Sequence, residues 1–313
     1  MKVYIDGHLL DEEDAKVSVF DHGLLYGDGV FEGMRIYRGR LFRPHLHIAR
    51  LQRGAKAIQL EIPVSAEEMI DVICLVAQQN GFTDRDGYVR AVVTRGKGDL
   101  GLDPRACPKP SVIVIVDTIK LYPAEDYEKG LALMTAGIRR NPADACPPQI
   151  KSLNYLNNIL AKLEANRYGA KEAIFLNHQG YVAEATADNI FIVQDGKVLT
   201  PPVRAGALPG ITRQTVLEIA SDLEIPAEER NMILVDIYGA DECFLTGTAA
   251  KVVPVTKVDG RTIGTGQVGS ITRCLMSAFA KLTEEDGIVV AERTPAAASR
   301  QRGLDGRHDL RDL

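Results

Sequence analysis

The sequence predicts an α+β fold built in two parts, and three observations carry that expectation. Strand-like and helix-like segments are mixed without the regular βαβα alternation of a doubly wound sheet. The chain has 313 residues, whereas one domain usually takes roughly 100–200. A polar stretch, LYPAEDYEKG at 121–130, separates a β-rich first part from a mixed second part. The expected boundaries are a small N-terminal α/β domain over 1–120, a connector over 121–130, a larger C-terminal domain over 131–290 and a tail over 291–313.

In the first part, KVSVF (16–20) alternates apolar and polar residues as a strand does. GVFEGMRIYRGRLF (29–42) reads as strand, turn and strand, with the turn at Arg38-Gly39-Arg40. Leu46, Ala49, Leu51 and Ile58 favour a helix over 43–58. The clearest helix signal is SAEEMIDVICLVAQQNG (65–81), where Ser65 is an N-cap, Glu68 completes a capping box and Gly81 lies past the end. GYVRAVVTRG (87–96) and SVIVIVDT (111–118) are β-rich.

In the second part, LALMTAGI is strand-like, and IKSLNYLNNILAK (150–162) follows as an amphipathic helix. EAIFLN and YVAEATADNIFIV flank the turn HQG, and GKVLTPPV adds a strand. LPGITRQTVLEIASDL (208–223) is a loop entering a helix. ECFLTGTAAKVVPVTKVDG (242–260) resembles a hairpin, and GQVGSITRCLMSAFAKLTEEDG (266–287) contains a closing helix. The tail is small, charged and aperiodic, which predicts disorder.

Composition removes several function classes. A net charge of −5 argues against a broad electrostatic grip on nucleic acid or anionic lipid. No run approaches the roughly 18 apolar residues of a membrane span. Five scattered cysteines without a CxxC pair argue against structural zinc and for reduced thiols in a cytoplasm. His45 and His47, two apart, diverge on a helix, so no metal site is expected. Gly27, Gly29 and Gly33 miss the nucleotide fingerprint, because Glu32 stands where its last glycine belongs.

The 150–162 segment is unusual for a helix. Ile150, Leu153, Leu156, Leu160 and Leu163 form one helical stripe, and Lys151, Asn154, Tyr155, Asn158 and Lys162 a second. Solvated faces usually carry Glu, Lys and Gln, so amides and a phenol suggest a face buried against something polar. A lysine there suits an imine-forming amine, with pyridoxal phosphate as the natural carbonyl partner. Such a cofactor needs an acid for its pyridine nitrogen and a cup for its phosphate. Glu184 sits mid-strand among Ala183, Ala185 and Ala187. Gly210, Ile211 and Thr212 open a helix, LTGTAAK (245–251) is a second Gly/Thr-rich turn, and Arg50 offers a cation. An edge glutamate, an ordinary helix start and a surface arginine remain the bland readings of these residues.

Five ordered blocks then carry a resemblance: VSVFDHGLLYGDGVFEGMRIYRGRLF, HLHIARL, PPQIKSLNYLNNILAKLEA, YVAEATADNIFIV, and LPGITRQTVLEIA with LTGTAA. The chain resembles the class IV (fold type IV) pyridoxal-phosphate aminotransferases, closest to branched-chain amino acid aminotransferases, from about Val3 to about residue 290. The resemblance implies a two-domain, D-amino acid aminotransferase-like fold whose larger domain has a β-barrel-like core. It implies Lys151 as the imine-forming and proton-shuttling lysine, Glu184 as the partner of the pyridine nitrogen, and Tyr155 on the ring oxygen. Arg50, Ile211, Thr212 and Thr248 are implied as the phosphate cup, with Leu208 packed on the ring.

On the substrate side it implies Tyr88 and Arg90 near the substrate carboxylates. The turn Gly247-Thr248-Ala249 would bind the α-carboxylate through N–H groups, and Tyr26, Phe31 and Gly33 would be the pocket wall. The expected activity is ping-pong transfer of amino groups between Leu, Ile or Val and 2-oxoglutarate, by a cytoplasmic homodimer. In that dimer, RIYRGRLF or the 97–110 segment would complete the partner's site. One departure is that Tyr155 follows Lys151 by four residues, where some members have five. The KSLNYLNN form, with a different residue at the tyrosine position, also occurs in the D-amino acid branch. D-amino acid aminotransferase and R-selective amine transaminase therefore stand as alternatives, with aminodeoxychorismate lyase or a non-catalytic relative behind them.

Overall fold

Antiparallel ladders dominate the first half of the chain, as its alternating Val and Ile runs require. The computed structural model describes residues 1–119 and 121–293. Two units emerge from it. One comprises Met1–Ile119, Lys151–Asn154 and the chain from Thr283; the other comprises Lys120–Ile150 and Tyr155–Leu282.

The first unit carries β1 (Lys2–Ile5), β2 (His8–Asp11), β3 (Gly29–Tyr37), β4 (Arg40–Leu41), β5 (Gly87–Thr94) and β6 (Ser111–Asp117). The short strand Ile288–Val289 joins them in a seven-stranded antiparallel sheet, whose order is Ile288–Val289, β4, β3, β5, β6, β1, β2. Register assigns the faces. Val30, Glu32 and Met34 lie opposite Val93, Ala91 and Val89, and this face is the core. Phe31, Gly33 and Arg35 lie opposite Val92, Arg90 and Tyr88 on the other face, where the β5 residues are half-buried.

The helices α1 (His22–Tyr26), α2 (Pro44–Ala57) and α3 (Ala66–Gln79) belong to this unit. The α3 N-terminus has the expected capping box, Ser65 with Glu68. The expected strand at 16–20 is absent. Those residues are irregular, with Val17, Val19 and Phe20 exposed, and pair with no neighbouring strand. Of the expected tail, only 291–293 are described; Arg293 donates to Asp71 and Glu67 at 2.6 Å each. Residues 294–313 lie outside the described residues.

The second unit carries β7 (Leu131–Thr135), β8 (Glu172–Leu176), β9 (Val182–Ala185), β10 (Asn189–Gln194), β11 (Lys197–Thr200), β12 (Ala227–Glu229), β13 (Glu242–Gly247), β14 (Lys251–Val258) and β15 (Arg261–Thr262). They form a mixed, curled sheet of order β12, β11, β10, β13, β14, β7, β8, β9, with β15 on β14. Its helices include α4 (Ala124–Lys129), within the expected connector, α5 (Leu156–Arg167) and α6 (Ile211–Asp222).

The helix expected over 150–162 begins only at Leu156. Residues 151–153 are instead extended and pair with β3: the Phe31 N–H donates to the Lys151 carbonyl at 2.9 Å, and the Leu153 N–H to the Gly29 carbonyl at 3.0 Å. Lys151 and Tyr155 therefore do not share a helical stripe. The apolar stripe is also inverted. Leu156, Leu160 and Leu163 are 65%, 40% and 48% exposed, while α5 buries Asn158, Ala161 and Ala165. Small residues decide this, because Ala161 and Ala165 pack against Ala173, Phe175 and Ala183, where leucines would not fit.

Candidate active site

In the first unit, strand register builds one polar cluster. Ser152 bridges Val30 on the core face, so Lys151 alternates to the face of Phe31. Lys151 Nζ lies 4.5 Å from the Phe31 ring centroid, and the Arg90 guanidinium sits at 4.5 Å from the same ring. Arg90 also lies 5.6 Å from the Tyr88 ring. A Cβ on Gly33 would fall 2.1 Å from the Tyr88 hydroxyl, so glycine is what lets Tyr88 lie across β3. Four expected residues, Lys151, Phe31, Tyr88 and Arg90, thus gather on one face with Gly33. Tyr26 closes α1 and donates to the Leu100 carbonyl at 2.6 Å.

Arg50 lies beneath the sheet's core face. His47 and Arg50, three apart on α2, share a helix face and meet Glu32. Arg50 donates through Nε at 2.7 Å and Nη2 at 2.9 Å, and His47 Nδ1 lies 2.7 Å from Glu32 Oε2. All three are buried. Burial alone would raise the Glu32 carboxyl, but Arg50 and His47 outweigh it and bring it down to about 2. Burial holds His47 below its ordinary value despite Glu32, so the neutral ring donates its Nδ1–H. Sequence reasoning missed Glu32 and His47; their one visible signal was a charged residue inside an apolar strand.

The second unit holds the other expected groups. Glu184, buried on β9, accepts from Arg140 Nε at 3.0 Å on Oε1, and Arg140 Nη2 forms an ion pair with the same oxygen at 2.9 Å. Its Oε2 accepts from the Leu208 N–H at 2.8 Å and from Asn189 Nδ2 at 3.3 Å. Asn189 also donates to the Leu208 carbonyl at 2.9 Å. A Cβ on Gly210 would lie 2.0 Å from Asn189 Oδ1, so glycine is required where α6 begins. Ile211 and Thr212, buried in the first turn of α6, follow a start with no side-chain cap. That leaves the helix's leading N–H groups for an acceptor from elsewhere.

Asn189 also pairs with Thr246 of β13, which leads into Gly247, Thr248 and Ala249, all three half-buried. Asp188 packs behind this turn, where a Cβ on Gly247 would meet its Oδ1 at 1.8 Å. Burial and the neighbouring Glu172 raise Asp188 to about 7. Tyr155 is the N-cap residue of α5 and is half-buried. Arg140, Asp188 and Asn189 were not anticipated.

The class IV amino-transferase model matches residues 29–258. The chain belongs to the class IV aminotransferases. A Methanocaldococcus jannaschii protein, provisionally named a branched-chain-amino-acid aminotransferase, is 50% identical over 290 residues, covering 93% of this chain and 99% of that one. A D-alanine aminotransferase of Staphylococcus epidermidis is 39% identical over 292 residues, covering 92% and 99%. The solved branched-chain amino acid aminotransferase of Escherichia coli superposes with a TM-score of 0.87 at 34% identity, covering 90% and 94%.

The aminotransferase family uses pyridoxal phosphate, and the donor sets here suit that group. The hydrogen bonds to Glu184 from Arg140, Asn189 and Leu208, with the Arg140 ion pair, suit a carboxylate facing a protonated ring nitrogen. The uncapped start of α6 suits a phosphate. The Thr246 hydroxyl is buried without a hydrogen-bond partner beside the Gly247 turn, as a site built for a further polar group would leave it. No helix among the described residues of this aminotransferase is long and apolar enough to cross a membrane.

Proposed function

We propose that this aminotransferase exchanges amino groups between branched-chain L-amino acids and 2-oxoglutarate. The observation that carries the reading is the placement of Lys151 and Arg90 on the same Phe31 ring, with Tyr88 beside them. An amine and a carboxylate-binding cation flanking one aromatic wall suit an apolar side chain in one half-reaction and the second carboxylate of glutamate in the other. The 50% identity to the M. jannaschii protein supports the same reading.

Pyridoxal phosphate, when bound, supplies a conjugated ring that stores the electron pair left as the substrate Cα loses its proton. Lys151 Nζ would hold the cofactor and would carry the proton released at the substrate Cα. Glu184 keeps the ring nitrogen protonated, and Tyr155 donates to the ring oxygen. Arg50, Ile211, Thr212 and Thr248 hold the phosphate, with Leu208 against the ring. The N–H groups of Thr248 and Ala249, beside Gly247, take the α-carboxylate, and Tyr26, Phe31 and Gly33 shape the pocket. The protein works in the cytoplasm as a homodimer; the exposed Leu100 and Leu102 are consistent with the 97–110 segment reaching a partner subunit.

A panel of L- and D-amino acids with 2-oxoglutarate tests the substrate. L-leucine, L-isoleucine and L-valine should turn over, and Lys151→Ala should abolish both turnover and the covalent fixing of the cofactor to the chain by borohydride. Turnover of D-alanine in their place would establish the second reading, which the 39% identity to the D-alanine enzyme favours.

A further inference from the structure

Asn157-Asn158 opens a helix with two mediocre helix formers, and neither amide faces solvent alone. Asn157 Oδ1 and Asn158 Oδ1 accept from Arg140 Nη1 at 3.0 and 3.1 Å. Each amide is itself anchored: Asn157 Nδ2 donates to the Arg139 carbonyl at 2.9 Å, and Asn158 Nδ2 to the Thr186 carbonyl at 2.6 Å. Beneath the guanidinium lies Phe175, 5.2 Å from its ring centroid, and the Arg140 N–H donates to the Leu176 carbonyl at 3.0 Å. Arg140 is therefore fixed through its backbone, its guanidinium face and Nη1, and its remaining side-chain nitrogens go to Glu184.

The division of labour at Glu184 is specific. Arg140 takes Oε1 alone, and Leu208 and Asn189 take Oε2. A carboxylate held at both oxygens by different elements cannot rotate about its last bond. An arginine that merely neutralised charge would need neither two amides aiming it nor a fork on one oxygen.

We propose that Arg140, aimed by Asn157 and Asn158, is a positioning residue that holds Glu184 as an oriented carboxylate against the cofactor's pyridine nitrogen. The proposal rests on the reading of Glu184 given above. It assigns a task to the two amides at the start of α5: they reach the ring nitrogen's acid through Arg140, without touching the cofactor themselves.

The test uses the full-length protein reconstituted with pyridoxal phosphate labelled with nitrogen-15 in the ring. Two quantities are read, the ring-nitrogen chemical shift and the dissociation constant of the cofactor. The wild type should show a protonated ring nitrogen. Arg140→Met should move the shift toward the unprotonated value and weaken cofactor binding about ten- to a hundredfold, the worth of a hydrogen-bonded charge. Arg140→Lys keeps the charge without the fork and should recover part of both effects. Asn157→Ala should show the same shift in smaller degree, and it keeps the proposal testable if Arg140→Met fails to fold.

Glu184→Gln separates the two ideas. If it changes the shift while Arg140→Met and Asn157→Ala do not, Arg140 has no positioning role and the reading of Glu184 stands. If Glu184→Gln leaves the shift at the wild-type value, the reading of Glu184 itself fails. On the Glu184→Gln background, Arg140→Met should have no further effect on the shift; an undiminished effect there would also overturn the proposal.

Discussion

Replacing Glu32 by glutamine should destabilise the protein strongly at neutral pH, and by less as the solution is acidified. The structure sets the magnitude. Glu32 falls from an ordinary 4.5 to about 2 in the fold, because Arg50 and His47 outweigh the cost of burial. A shift of that size corresponds to about 3 kcal/mol of stability. The native value is depressed, so this stability is complete above about pH 4.5 and is lost as pH falls through about 2. Glutamine keeps the shape but takes this counter-ion from the buried Arg50 guanidinium, and breaking a buried pair from one side costs about 3–5 kcal/mol. The expected loss at pH 7 is therefore about 3–5 kcal/mol. Between pH 5.5 and pH 3.5 the gap between wild type and variant should narrow by about 1 kcal/mol. Urea unfolding followed by far-ultraviolet circular dichroism measures both, since the chain has no tryptophan to report by fluorescence. Protein and cofactor concentrations must be matched. A loss below about 1 kcal/mol, or a gap independent of pH, would show that Arg50 finds another partner and that the Glu32 pair is not what holds it.

Two further outcomes follow from the second unit. Gly210→Ala should displace Asn189, 2.0 Å from the added Cβ, and so loosen both Glu184 and the start of α6; equilibrium binding of pyridoxal phosphate to the variant should be at least about tenfold weaker. Asp188, raised to about 7 by burial and by Glu172, with Glu184, Tyr122 and Lys162 also acting on it, binds its proton more tightly in the fold than in the unfolded chain. It therefore stabilises fully below about pH 4, and that contribution of up to about 4 kcal/mol is lost as pH rises through about 7. Asp188→Asn should flatten this fall in a series of unfolding curves from pH 5 to pH 8.5.

What was legible in the sequence depended on whether a residue's meaning was local. The α3 capping box, the start of α6 and the β5 and β6 strands are set by neighbours within a few positions, and they stand where the pattern places them. Lys151 and Glu184 stood out as candidates because a lysine among amides and a glutamate among alanines are locally odd. Hydrophobic periodicity places a helix over 150–162, but periodicity carries no information on the size of the side chain that a site admits. The sheet beneath α5 accepts alanine, not leucine, and Lys151 is drawn into extended pairing by the Gly29 carbonyl and the Phe31 N–H. Arg140 could not be singled out from Arg139, because its partner Glu184 lies 44 residues away. Glu32 and Arg50 lie 18 apart on different elements, so only register shows that they share a face.

Glu32 and Glu184 are the same device in two settings. Each sits mid-strand, 0% and 5% exposed, and each receives an arginine through two nitrogens. Stability alone does not explain such pairs, because well-packed apolar residues often replace a buried ion pair at no loss, or with a gain of about 1–4 kcal/mol. Apolar residues cannot aim a cation or a carboxylate, however, and aim is what a cofactor contact needs. The double replacement Glu32→Met with Arg50→Met separates the two roles. It should recover most of the stability that Glu32→Gln loses, since neither charge of the pair remains in the core. It should not recover binding of pyridoxal phosphate if Arg50 holds the phosphate as proposed. Stability and cofactor affinity returning together would mean that the pair only fills space, and that the phosphate is held without Arg50.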